Sequence, residues 1–132
     1  MKNIQIPDNA ETFKSELGTY WFDETGILKS LSNNTRRTLE NTGRNFELVR
    51  KISGGQKVCH MVYLVNSPKP DKATLRYVAQ ELPGVYKAMA IISKSGLGKI
   101  VMNIIFRLNP PTIPMKTFAD EDEAIEWLKG YL

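Results

Sequence analysis

Seven residues between an apolar run and a helical pattern, Ser93-Lys-Ser-Gly-Leu-Gly-Lys99, come nearest to a recognisable chemical site. Strand, glycine-bearing loop and helix in that order is the arrangement with which a P-loop cradles phosphate. Two positions depart from it: Ser93 stands where the first glycine belongs, and Ile100 where a Ser or Thr would meet magnesium. The pattern still allows an anion held by backbone N–H groups at a helix start, with Ser93, Ser95 and Lys99 around it. Helix capping by Ser93 or Ser95 accounts for the same residues without a ligand.

Other reactive groups are sparse. Arg36 and Arg37 stand near the start of a helical pattern, where positive charge opposes the helix dipole. Such a placement sometimes accompanies a bound anion, but long arginine side chains more often reach away into water. Cys59 and His60 are adjacent on an extended segment, so they point to opposite faces and cannot act as a nucleophile–base pair. A single cysteine and a single histidine leave a disulfide framework or a zinc site without enough ligands. Asp23 and Glu24 sit in a turn sequence, and the acidic run 120–123 suits the N-terminus of a helix. These residue types call for no cofactor and no metal.

The elements that must position these groups alternate along the chain. Two apolar runs flank Asp23-Glu-Thr-Gly26, the chemistry of a hairpin. The segment from Asp8 to Leu17 fits either a short helix or a strand. From Thr35 to Ile52 the residues Leu39, Thr42, Phe46 and Val49 recur at helical spacing, with Ser32, Asn33 or Asn34 as the expected cap. Gly43 inside this helix suggests a close helix–sheet approach. Lys57 to Val65 reads as a central strand, with Val58, Val62 and Leu64 on one face and Cys59, Met61, Tyr63 and Val65 on the other.

A second helix carries Leu75, Val78, Ala79 and Leu82 on one stripe and is expected to stop at Pro83-Gly84. Residues 87–92 look like a buried parallel strand, followed by a helix from Leu97 to Leu108. Ile113 to Phe118 reads as an edge strand because Pro114 lacks a donor. A last helix opens on a capping box of Asp120 and Glu123. Alternating strands and helices imply one α/β domain over residues 1–132, with a largely parallel sheet.

With 132 residues, 42% apolar and 24% charged, the chain has the composition of a globular domain. The net charge of +4 divides unevenly, −4 from Asp120 to Leu132 and +8 over the rest. The positive residues are scattered, and no stacking aromatics or recognition motif accompany them, so nucleic-acid binding is not expected. No run approaches the ~18 apolar residues of a membrane span, and the N-terminus lacks a signal-peptide core. A cytoplasmic location is the expectation.

Four stretches resemble a bacterial family of STAS-like (SpoIIAA-like) single-domain proteins, which share a layout with lipid-binding CRAL-TRIO modules. They are Tyr20–Ile27, Ala73–Tyr77, Lys87–Ser95 with Asn103 and Asn109-Pro110, and Pro114–Phe118 through Asp122–Leu128. The likeness spans residues 19–132 and leaves 1–18 as an N-terminal extension. It implies a SpoIIAA-like α/β fold: a mostly parallel sheet of four to five strands, an N-terminal antiparallel hairpin and about four helices. In antagonist STAS domains a serine after an aspartate, at the end of a central strand, is phosphorylated. Ser67 holds the matching position, but Asn66 replaces the aspartate and Pro68 follows, which fits an ordinary turn as well. Thr74 is a weaker phosphosite candidate.

The helix expected at 97–108 has a complete core stripe, yet Met102 and Phe106 add apolar surface on another side. That surface suggests an interface with a protein partner or a second copy. The overall expectation is a non-enzymatic interaction or regulatory module. The alternative is a binder of a small ligand, nucleotide or lipid, with its pocket between the helix from Leu97 and the sheet.

Overall fold

The computed structural model describes residues 6–64, 68–93, 103 and 113–132. Six strands form one sheet: β1 (Phe13–Ser15), β2 (Gly18–Phe22), β3 (Leu28–Ser32), β4 (Val58–Leu64), β5 (Tyr86–Ser93) and β6 (Met115–Phe118). Their spatial order follows the chain, β1-β2-β3-β4-β5-β6. The first three pair antiparallel and the remaining pairs are parallel. Three helices are described: α1 (Leu39–Ile52), α2 (Lys72–Val85) and α3 (Glu121–Lys129). The α/β class and the hairpin match the expectation, while the sheet has six strands rather than four or five. The added strand is β1, from the segment that sequence left undecided. It is three residues long and only partly buried, too short to show an alternating pattern. Of the helix expected at Leu97–Leu108, only Asn103 is described.

Local chemistry sets the turns. Asp23 Oδ1 accepts from the Thr25 N–H, the Thr25 hydroxyl and the Ile27 N–H, at 2.9, 2.6 and 3.0 Å. Gly26 completes the turn at φ 90°, a conformation that disfavours any residue with a Cβ. At Gly18 a Cβ would lie 2.3 Å from the Leu31 carbonyl oxygen, so the β2–β3 pair closes only around a glycine. Pro114 gives its carbonyl to the Met89 N–H at 3.0 Å just before β6. Its missing donor therefore leaves the edge strand intact.

Four expectations about the helices are corrected. The cap of α1 is Thr38, not Ser32, Asn33 or Asn34. The Thr38 hydroxyl accepts from the Asn41 N–H while Asn41 Oδ1 accepts from the Thr38 N–H at 2.7 Å. Asn33 instead ties the chain back to the Glu16 carbonyl. Helix α2 runs through Pro83 to Val85, where the buried Leu82 and Val85 hold its last turn and Tyr86 donates to the Leu82 carbonyl. Gly43 marks a close approach of α1 to α2, because its nearest neighbour is the Tyr77 hydroxyl rather than the sheet. Asp120 caps α3 through the Asp122 N–H at 3.0 Å, and the expected capping box with Glu123 does not form.

The sheet has two different faces. Trp21, Cys59, Met61, Tyr63, Ala88, Ala90 and Ile92 pack with Ala124 and Leu128 of α3. Tyr20, Leu28 and Tyr86 pack on the opposite face with Phe46 and Val49 of α1 and Leu82 and Val85 of α2. Both α1 and α2 are crossovers between parallel neighbours in a sheet that adds strands in one direction, so right-handed connections place them together. The alternation read along β4 holds, with Cys59 and His60 on opposite faces. No helix among the described residues is long and apolar enough to cross a membrane.

Candidate functional site

Under α1 and α2 the sheet carries a row of polar side chains drawn from four strands. Tyr20 of β2 pairs with Ser30 of β3, while His60 of β4 pairs with Leu28 of β3 and Met89 of β5. The register shifts between Val58 and Cys59, with the extra residue, Lys87, on β5. This bulge turns Tyr86 to the same face as Met89 and Ile91 and sets it against the imidazole. The His60 ring stacks on Tyr86 at 4.6 Å and 20°, and lies 5.8 Å and 27° from Tyr20.

Hydrogen bonds tie this row together. Ser30 Oγ is 2.8 Å from His60 Nε2. Asn45 of α1 donates to the Tyr20 hydroxyl at 2.6 Å and accepts from Ser15 of β1 at 2.9 Å. Burial, then the positive charge of Arg37, pushes the His60 imidazole down to about 3, so it is neutral at physiological pH. Burial raises both tyrosine hydroxyls. His60 is 3% exposed, and its Nδ1 has no hydrogen-bond partner among the described residues.

A cavity of about 100 Å³ opens onto this row. Tyr20, Tyr86, His60, Thr42, Asn45 and Arg37 line its polar part, and Leu75, Val78, Leu82, Met89, Ile91 and Met115 supply apolar wall. Leu64, at the end of β4, lines it with Pro68 and Pro70. The space thus reaches the carboxyl ends of parallel strands, where ligands of open α/β sheets bind. Its size is comparable to an engineered apolar cavity of about 150 Å³ that takes up benzene.

Arg37 is half-buried and forms no ion pair among the described residues. Its charge acts on Tyr20, His60 and Tyr86. The expectation that both arginines reach into water therefore holds for exposed Arg36 and fails for Arg37, which the N-terminal flank of α1 lays over the cavity.

Of the residues singled out in the sequence, Ser93 ends β5 opposite Leu64 and is half-buried. Ser67, Ser95, Lys99, Met102 and Phe106 lie outside the described residues. Thr74 is 1% exposed at the start of α2, where its N–H caps onto Asp71 at 2.8 Å. The site residues missed by sequence reasoning are Tyr20, Arg37, His60 and Tyr86. One signal was present: His60 is the polar member of a strand face otherwise made of Val58, Val62 and Leu64.

No curated protein matches the chain. Among solved structures it is similar to an uncharacterised protein of the DUF3478 family with a SpoIIAA-like fold, from Shewanella loihica PV-4. The two share 15% identity at a TM-score of 0.53, over 97% of this chain and 98% of the other. That likeness speaks for the fold alone, a SpoIIAA-like α/β arrangement. Residues 20–132 match the family model DUF7793, a domain of unknown function, and the chain belongs to that family.

Proposed function

We propose that this protein is a binding module that holds a small, largely apolar molecule in the cavity beneath α1 and α2. The observation that carries this reading is the cavity itself, about 100 Å³, walled by Leu75, Val78, Leu82 and Met115 and bordered by Tyr20, Thr42, His60 and Tyr86. The apolar walls supply affinity without selecting an orientation, and the polar row supplies orientation. The interaction-module reading rests on Met102 and Phe106, outside the described residues, so the geometry favours the cavity.

The test is thermal unfolding with four- to six-carbon apolar probes, on the wild type and on Val62→Phe, which fills space on the cavity wall. A probe at 100 times its dissociation constant adds about 2.7 kcal/mol of stability to the wild type. The filled variant should gain nothing. Equal shifts in both proteins would remove the cavity as the binding site.

A further inference from the structure

We infer that this protein self-associates head to tail, the basic outer layer of α1 and α2 in one copy seated on the acidic outer layer of α3 in the next. The surfaces involved are the outward sides of the helices, away from the cavity.

The sheet separates charge by sign. Residues 36–85, which supply α1, α2 and the strand between them, hold nine basic and four acidic side chains, a net of +5. Of the nine, Arg44 and Arg50 alone form ion pairs among the described residues, with Glu16 and Glu81. Lys72 and Arg76 stand exposed one turn apart on α2. Across the sheet, residues 120–132 hold five acidic side chains against Lys129. The N-terminal segment and the β2–β3 turn gather beside α3 and add Glu11, Asp23 and Glu24 against Lys29. Lys116 reaches over the Phe118 ring on this face. With it counted, the α3 side carries eight acidic and three basic side chains, a net of −5.

A layer of each sign on one chain fits a second copy of that chain. Pairing equal layers about a two-fold axis sets positive against positive or negative against negative, which repels, whereas unlike layers attract. The two layers lie on opposite faces of the sheet, so each copy in a pair still offers one free layer and association continues past the dimer. Apolar contact is available on both layers as well. The exposed large apolar side chains among the described residues are Leu39 at the start of α1 and Tyr131 and Leu132 just past α3. Single exposed ion pairs contribute little, so the contact depends on the summed layers and is weak and salt-sensitive.

Analytical ultracentrifugation of the wild type tests this at about 0.01 M and about 1 M salt, between which the Debye length falls from about 30 to about 3 Å. The average mass should climb beyond a dimer with concentration at low salt and return to the monomer at high salt. Lys72→Glu with Arg76→Glu, and Glu123→Lys with Glu126→Lys, alter one layer each at exposed positions. Both pairs should push the low-salt protein toward monomer, although they move the net charge in opposite directions. Carbodiimide coupling of a mixture of isotope-labelled and unlabelled wild type should join Lys69 or Lys72 of one copy to Glu123 or Glu126 of another. A wild type that is monomeric at low salt overturns the inference, and its retention on heparin would then assign the basic layer to a polyanion. Association indifferent to salt, or weakened by one pair of substitutions and not the other, also overturns it. So does a set of intermolecular cross-links that omits either layer.

Discussion

The Ser30 hydroxyl and His60 Nε2 meet at 2.8 Å across neighbouring parallel strands, inside a face of the sheet that is otherwise largely aliphatic and aromatic. This single bond fixes the orientation of the imidazole and leaves its other nitrogen buried, without a hydrogen-bond partner among the described residues. Replacing Ser30 with alanine strands Nε2 as well and should cost about 1–3 kcal/mol in denaturant unfolding. Equal denaturant midpoints for Ser30→Ala and the wild type would contradict a bond between the two side chains.

Stability should fall with acid because of His60. Its folded-state value is about 3 against an ordinary 6.5, so between those limits the unfolded chain binds the extra proton. The contribution is fully present above pH 6.5 and is lost as pH drops toward 3, at roughly 1.4 kcal/mol per pH unit. Other groups titrate in the same range, so the comparison is with His60→Phe, which cannot take up this proton. Urea midpoints from pH 7 to 4.5 should fall more steeply for the wild type. Parallel profiles would show that the ring is not buried as described.

Tyr20 and Asn45 should be energetically coupled. Tyr20→Phe leaves the Asn45 amide without its 2.6 Å acceptor, at a cost of about 1–3 kcal/mol. Asn45→Ala removes the other partner, and a double-mutant cycle should return a coupling of roughly 0.5–3 kcal/mol. Strict additivity would place the two side chains apart.

Two glycines should respond in opposite ways. Gly18→Ala drives a Cβ into the Leu31 backbone at 2.3 Å and should destabilise by about 3 kcal/mol or more, the upper end of overpacking. Gly84→Ala meets no atom within 4 Å and lies in the last turn of α2. It should stabilise by about 0.5–1 kcal/mol through helix propensity. Thermal unfolding of the two variants checks the β2–β3 closure and the extent of α2 together.

Much of the scaffold can be read from local pattern. The Asp23–Gly26 turn, the two faces of β4 and the edge position of β6 each follow from alternation or turn chemistry within a few residues. Helix α2 overran its Pro83 because burial of Leu82 and Val85 outweighs one lost backbone bond. The start of α1 moved to Thr38 because a reciprocal side-chain cap forms there. The cavity was hardly readable, for a physical reason. Tyr20, Ser30, His60 and Tyr86 become neighbours through strand order and through the bulge opposite Val58 and Cys59, neither of which has a local signature. Arg37 looked like a solvated side chain because nothing near it in the chain reveals that it overlies buried aromatic rings. His60 alone stood out, as the polar residue on an apolar face.

The most direct measurement is a crystal structure of the wild-type protein grown with cyclopentane, a five-carbon apolar probe. The account predicts density for one molecule in the space under α1 and α2, against Leu75, Val78 and Met115. A cavity that stays empty at saturating probe would contradict it.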